Sequence, residues 1–474
     1  MGYFGRRKIY TDVDTITREN VADVLRKALA THWANKAEIE YLYKYYKGEQ
    51  PILNRTKEVR PEIMNIIVEN RANEIVSFKV GYLMGEPIQY VSRGDDENLT
   101  RQINTLNAYM LSEDKASKDK KLADWSHICG TSYRMVLPDS QADVDPDEAP
   151  FEVYTLDPRY AFVVYHNSLG EPPVMAVKFI EREDGVIYSV YTKDHYFELM
   201  DNDEIVRDEE QVLGLPIIEY PANTARLGAF EVVLPLLDAI NNVDSNRLDG
   251  VEQFVQALML FHNVDITSSD FNDLKEQGAL KFKDIDAQLK GEVKYLVEEL
   301  NQGQTQTLVD HLYETVLTIV GMPNRNGGSS TSDTGTAVVY RDGWSAAEAR
   351  AKDSELMFKQ SEREFLKLVL RICRDLSDLS LKLSNIEIRF TRRNYENITE
   401  KANVLTAMLA NPKIAPQLAF QHCGMFVDAE SAYLVSKAYA EEQEKKAAEL
   451  ATKQKEVNPD GKGNPPDPGS GQED

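Results

Sequence analysis

Cysteine is scarce in this sequence. Three residues, Cys129, Cys373 and Cys423, stand far apart and are odd in number. That excludes a disulfide-stapled scaffold and fits a reducing compartment. Long apolar runs are missing too: nothing approaches the ~18 residues of a membrane-spanning helix. The basic start, MGYFGRRKIYTDVD, has no apolar stretch behind it, which argues against a secretory signal. Positive charge is the most telling shortage. Lys and Arg number 54 against 78 Asp and Glu, so the net charge is −24. A protein that grips DNA presents a basic face, because affinity comes from Lys and Arg displacing counterions. This chain mostly repels DNA. Charge does not exclude a protein that surrounds DNA without holding it.

Catalytic signatures are also lacking. The loop at 324–338, NRNGGSSTSDTGTAV, resembles a phosphate cradle in composition, but no lysine follows Gly327, Gly328 or Gly335 as a Walker A motif requires. It follows a helical pattern rather than a strand, so the strand–loop–helix cradle is missing. Ser112–Lys115 and Ser117–Lys120 have S-x-x-K spacing without its companion elements. The seven histidines are scattered, with no H-E-x-x-H and no C-x-x-C. His127 near Cys129, and His422 beside Cys423, read as core or surface residues rather than metal ligands. Asp139, Asp143, Asp145, Asp147 and Glu148 crowd one stretch, but Pro146 breaks the spacing of a calcium loop, leaving a solvated loop as the simpler reading. Tyr41, Tyr43, Tyr45 and Tyr46 suggest either base stacking or, beside Leu42 in a helical context, packing. Nothing assembles a nucleophile, a base and an orienting group. The reading is of a non-enzyme without metal or cofactor.

What is present is a soluble-type composition, 42% hydrophobic and 28% charged, in 474 residues, long enough for two to four domains. Helical periodicity opens the chain. ITRENVADVLRKALATHW has Thr17 as its expected N-cap, AEIEYLYKYYKG ends at Gly48, and a third helix is expected from Ile63 through Phe78. From Thr131 short β-branched and aromatic runs alternate with turn signals, which makes the chain α+β. A helix is expected again from Ala229, with Val233, Leu237, Ile240, Val251, Phe254 and Leu258 on one face. Its middle, NNVDSNRLDG, is polar on several sides, as if it packs among neighbouring subunits. Helix 304–321 carries two adjacent apolar stripes, Leu308, Leu312, Val316, Ile319 and Val309, Tyr313, Leu317, Val320. A long helix is expected from Thr336 to Leu383, and smaller ones at 399–410 and 428–446. The end, VNPDGKGNPPDPGSGQED, is acidic, free of aromatics and rich in Pro and Gly, the composition of a disordered tail.

Several stretches carry a family resemblance. They are YYKGEQPIL (45–53), NIIVENRANEIVSFKVGYLMGEP (65–87), YTLDPRYAFVVY (154–165), LPIIEYPAN…GAFEVVLPLLDAINNVDSN (215–246), the loop-to-helix passage 324–350, and FTRRNYENITEKANVL (390–405). Together and in order, the chain resembles the portal protein of tailed bacteriophages, of the siphovirus type found in Gram-positive hosts. The resemblance implies a phage portal fold and a ring oligomer, usually of twelve subunits, at one capsid vertex. DNA would enter through the ring during packaging and leave through it at infection. The implied domains are an N-terminal wing (1–228, strand-rich over 131–212), a first stem helix (229–261) and a small α/β clip (262–303). A second stem helix (304–322), a tunnel loop (323–335), a long wing helix with its following strand (336–396) and a helical crown (397–440) follow, then a mostly disordered acidic tail (441–474).

The resemblance also implies partners: the terminase large subunit, head–tail adaptors, scaffolding and major capsid proteins, and double-stranded DNA held non-specifically, with no membrane. Assembly would take place in the host cytoplasm and the final location would be the virion. Arg325, Asn326, Gly327, Gly328, Ser329, Ser330, Thr331 and Ser332 fall where such proteins place the tunnel loop. Asp270, Asp273, Lys275, Glu276, Lys281 and Lys283 fall in the partner-docking clip. Neutral Ser, Thr and Asn at a constriction exchange hydrogen bonds with water or phosphate at small net cost. The glycines let identical subunits adopt different loop conformations against a DNA helix whose symmetry the ring cannot match. The alternatives are a DNA-packaging nuclease or ATPase, and a structural adaptor without a channel.

Overall fold

A computed structural model describes residues 5–93, 97–139, 148–183, 185–255, 258–265, 267, 283–285, 290–296, 302–324, 343–392, 398–426 and 429–457. The chain divides into two compact units, one up to Arg393 and the other from Asn394.

The first unit opens with strand β1 (Ile9–Thr11) and helix α1 (Val21–Tyr46). The helix runs unbroken where two were expected. Asn35, at the expected join, is no breaker because its amide turns inward and pairs with the backbone N–H and carbonyl of Arg7. Thr17 is not the cap; it accepts the N–H groups of Asn20 and Val21 through its carbonyl, and Asn20 stands at the cap position. Gly48 does follow the helix end, at φ +98, a conformation costly for any residue with a Cβ. Helix α2 begins only at Arg71 (Arg71–Leu83), not near Ile63. The reason lies in the contacts of residues 65–69 with a later helix.

Strand β2 (Gln89–Ser92) and helices α3 (Glu97–Ser112) and α4 (Lys115–Cys129) precede the strand block. It comprises β3 (Thr131–Pro138), β4 (Phe151–Leu156), β5 (Ala161–His166), β6 (Pro173–Arg182), β7 (Gly185–Thr192), β8 (His195–Met200), β9 (Ile205–Glu210) and β10 (Ile217–Pro221). The expected strand region is therefore present, and the α+β class stands. Six strands form one sheet in the order β1-β5-β6-β7-β8-β9, with β1 parallel to β5 and the rest antiparallel. Its core includes Phe162, Val164, Val177, Val190 and Phe197, packed with Val21, Val24 and Leu25 of α1. Burying each such side chain contributes about 1.5–3 kcal/mol before entropy is counted. A second sheet, β10-β3-β4, carries another core.

Helix α5 (Leu234–Val255) follows a short 3-10 turn at Glu231–Val233. It ends sooner than expected: Leu258 opens strand β11 (Leu258–His262) instead of closing the helical face. Strands β12 (Val264–Asp265), β13 (Lys283–Asp284) and β14 (Glu292–Leu296) complete two small ladders, β11 with β14 and β12 with β13. Pairing of Leu258 opposite Leu296 draws these residues out of helical geometry. Helix α6 (Gln302–Val320) matches its expected span closely.

Helix α7 (Trp344–Leu376) is the long helix; of its expected start, 336–342 lie outside the described residues. It stops before Leu379 because the Ser377 hydroxyl donates to the Cys373 carbonyl and accepts the Leu379 N–H, ending the turn. Leu379 and Leu381 still reach the core, in extended chain. Strand β15 (Ile386–Arg389) then pairs antiparallel with β2.

The second unit holds helices α8 (Ile398–Leu409), α9 (Pro416–His422) and α10 (Ala429–Val457). Phe420 stacks on Phe426 at 5.2 Å and meets Tyr433 edge-on. Helix α10 corrects the expectation of a tail from residue 441, since it continues to Val457. AEEQEKKAAELATKQKEV consists largely of strong helix formers, and Glu442 pairs with Lys446 at i,i+4. Residues 458–474 lie outside the described residues.

Candidate functional site

The chemistry of this chain concentrates where α5 and α6 meet the first unit's core. Residues 65–69 run extended along α5 in a ladder that has helix side chains for one rail. The Asn65 N–H donates to Asp249 Oδ1 at 2.7 Å, the Ile67 N–H to Ser245 Oγ at 3.0 Å, and the Glu69 N–H to Asn241 Oδ1 at 2.9 Å. Every second residue of a strand meets every fourth of a helix because the steps match, about 6.6 Å against about 6.0 Å. Asn241, Ser245 and Asp249 are buried. They are three of the polar residues of NNVDSNRLDG, so part of this polarity serves an intramolecular strap. For these three residues the polarity needs no neighbouring subunit. The strap also explains why Ile63 and Ile67 are not helical. A helix over 63–70 would spend these N–H groups internally and leave three buried acceptors on α5 unpaired.

Several charged and amide groups flank the strap. Asp249 is gripped by Arg55 at 2.8 Å and Lys57 at 3.1 Å. Burial alone would raise its carboxyl; the Asn65 N–H, Lys57 and Arg55 outweigh it and hold the group below the usual range. Asn241 donates to Gln50 Oε1 at 2.5 Å, and the Tyr45 hydroxyl donates to Asp238 at 2.8 Å. Tyr45 is fully buried against Phe230 and Tyr43 stacks on Trp125 at 5.0 Å, so both are packing residues.

A second polar cluster fastens α7. Arg134 of β3 donates to Glu362 at 3.0 Å and pairs with Asp119; Lys115 reaches Asp119 at 2.6 Å and Glu362 at 2.8 Å. The hydroxyls of Tyr90 and Tyr220 donate to Glu362 at 2.5 and 2.7 Å. Two cations balance two carboxylates, and both side chains of the Arg134–Glu362 pair are 0% exposed. Burial would raise Glu362, but Lys115 and Arg134 outweigh it and hold the carboxyl down at about 2. The cluster joins five elements, α4, β2, β3, β10 and α7. Lys115 of the S-x-x-K spacing is consumed here as a structural ion pair.

Helices α5 and α6 pack side by side. Of the two apolar stripes on α6, Val309, Leu317 and Val320 are buried together with Val316 against Leu237 and Ile240. Leu308 and Ile319 are 47% and 43% exposed, and on α5 Leu248 and Val251 are 42% and 41% exposed. At the end of α6 the chain turns at Gly321 (φ +69) and is described to Asn324; it resumes at Gly343 (φ +84), where an added Cβ would lie 3.7 Å from Pro323 Cα. The chain thus leaves and returns at one place, and it is the positive φ of Gly343, not lack of room, that favours glycine there.

The expected tunnel-loop residues Arg325, Asn326, Gly327, Gly328, Ser329, Ser330, Thr331 and Ser332 lie outside the described residues. So do Asp270, Asp273, Lys275, Glu276 and Lys281, and residues 140–147 of the acidic stretch 139–148. Lys283 lies in β13, opposite Asp265. Among the described residues no group of three or more His, Cys, Asp or Glu is arranged to hold a metal ion, and no helix is long and apolar enough to cross a membrane. His127 is buried, bonded to the Ala123 carbonyl, and desolvation holds it neutral down to about 4. The Cys129 thiol is pushed up to about 12 by burial, so it is not a nucleophile. Cys373 and Cys423 are likewise free and buried. Sequence reading missed the strap acceptors and the Arg134–Glu362 cluster. The i,i+4,i+8 spacing of Asn241, Ser245 and Asp249 was the available signal.

These features define a scaffold: long helices tied to a mixed core by buried polar contacts, with an apolar stripe left over. The family described as "Phage portal protein, SPP1 Gp6-like" matches residues 25–456, and the chain belongs to that family. Comparison with curated proteins found no match. The chain is thus a bacteriophage portal protein, a structural capsid component of the head–tail connector that serves DNA packaging.

Proposed function

We propose that the protein forms a closed ring, a dodecamer, at one capsid vertex. In this reading DNA enters through the ring during packaging and leaves through it at ejection. Helices α5 and α6 are the stem, residues 262–303 the clip that docks the terminase large subunit and later the head–tail adaptors, and 323–335 the tunnel loop. The wing meets scaffolding and major capsid proteins, and 397–440 form the crown. Family membership supports this reading in outline. The observation that carries the ring is the exposed stripe of Leu308, Ile319, Leu248 and Val251. A monomer would leave these side chains to water, whereas a head-to-tail contact repeated to closure covers them in every subunit.

Phage type and host follow only from the resemblance to siphovirus portals of Gram-positive hosts, and assembly is proposed to occur in the host cytoplasm. Negative-stain imaging of the purified protein tests the ring. Rings with a central hole are expected. A monodisperse monomer at micromolar concentration would overturn the proposal, and a closed disc without a hole would favour a channel-less adaptor.

A further inference from the structure

Many basic side chains among the described residues pair with an acid. Two that do not share one cavity. Lys79 of α2 and Arg350 of α7 line it with Tyr82, His127, Gly321 and Ser354, and it measures about 20 Å3. That is room for one water or one oxygen atom. Lys79 is largely withdrawn from solvent and spends one of its three donor hydrogens on the Val320 carbonyl at 2.8 Å. Among the described residues its other two have no acceptor, and the Arg350 guanidinium has no carboxylate partner. Glu348 of α7 is taken by Arg392 at 2.9 Å and by the Tyr82 hydroxyl at 2.9 Å. His127 cannot compensate, being neutral.

A largely buried ammonium with spare donors is costly unless an acceptor joins it, and the exposed Arg350 guanidinium sets a second positive charge at the mouth of the same cavity. We propose that this cavity is an oxyanion site of the phosphate class: one oxygen enters beside the Lys79 ammonium and the exposed Arg350 guanidinium forks the others. Arg350 suits that role because its planar donors match two oxygens at once, while lysine acts as a point charge. Occupancy would tie α2 to α7 beside Gly321, at the base of the segment between α6 and α7. Free phosphate and a DNA backbone share this chemistry, and the test separates the two.

The Lys79 side supplies a further signature. Burial, and then Arg350, push its ammonium down to about 8. The titratable groups that line the cavity with it are Tyr82 from α2 itself, Arg350 from α7 and, from α4, His127 in its neutral form; α6 contributes the Val320 carbonyl. Binding should therefore be full near pH 7 and decline above pH 8 as the ammonium is lost.

The experiment measures binding of inorganic phosphate to the full chain by calorimetry and thermal shift, at constant ionic strength set with sodium chloride. A parallel arm uses short duplex DNA. Wild type is expected to bind phosphate at pH 7 and more weakly at pH 9, with Arg350→Gln weakening it by roughly tenfold or more, the scale of a charge-assisted contact. Lys79→Met should abolish binding. If that variant folds poorly, Arg350→Gln, at the exposed rim, carries the test alone. Dependence on these residues for DNA but not phosphate would assign the anion to a DNA backbone. If neither ligand distinguishes wild type from Arg350→Gln, the site does not exist.

Discussion

The backbone N–H of Asn65 donates to Asp249 Oδ1 at 2.7 Å, across 184 residues of sequence. That bond fastens the strap to α5. Replacing Asp249 with Ala removes the acceptor and leaves Arg55 and Lys57 without their shared carboxylate. We expect a loss of about 2–4 kcal/mol, between a single buried hydrogen bond and a buried ion pair. Denaturant unfolding would measure it, and wild-type stability in this variant would show the strap to be ornamental.

The Asp249 carboxyl also has a pH consequence. Its folded value lies below the ordinary 3.8, so its stabilisation is complete above that value and is lost as pH falls through the folded one. Asp249→Asn should flatten the acid limb of stability between pH 4 and the folded value, leaving the limb above about pH 5 unchanged. Acid titration of unfolding free energy reads this directly.

Glu362 should behave in the same sense over a wider window. Its carboxyl sits at about 2 against an ordinary 4.5, so stability is present above 4.5 and disappears toward 2. Glu362→Gln leaves Arg134 and Lys115 buried with one carboxylate between them. A loss of about 3–5 kcal/mol at pH 7 is expected. Little change in thermal stability would mean that water relieves the cluster.

The exposed stripe of α6 is testable apart from the fold. Leu308→Asp with Ile319→Asp should leave helical content intact, because both side chains already face out. Rings should give way to smaller species in light scattering. Unchanged rings would move the subunit interface elsewhere.

The tail offers a contrasting case. Deleting residues 455–474 removes the last three residues of α10 and a stretch without the apolar content to join a core. Rings should form at the wild-type yield, and their loss would reveal a structural role for the tail.

In the loop, Ser329→Lys with Ser330→Lys would add about two dozen positive charges to a dodecamer. Counterion release by that many cations makes DNA binding steeply salt-dependent, so packaging should slow or stall at low salt and recover as salt rises. Wild-type packaging rates at low salt would remove the loop from the constriction.

How much of this was legible follows from the range of the forces involved. The strand block from Thr131 and helix α6 were readable because period-two and period-3.6 patterns are local properties of consecutive residues. The absence of a Walker lysine and of metal-ligand spacing was equally local. The strap was not readable: Ile63, Ile67, Ile75 and Phe78 imitate one helical face, and only the buried acceptors of α5 make 65–69 extended. The same acceptors looked like subunit-facing polarity, since their partners lie more than 170 residues away. Helix α10 outran the expected tail because local helix propensity won over overall acidity. Lys79 and Arg350 belong to two ordinary amphipathic helices, and no pattern in either hints at the other. By itself the sequence determined where the strand block and α6 lie and which family the chain belongs to. The tertiary structure decided which polar groups meet, because a buried donor is satisfied by whatever acceptor the fold brings within about 3 Å, however distant in the chain.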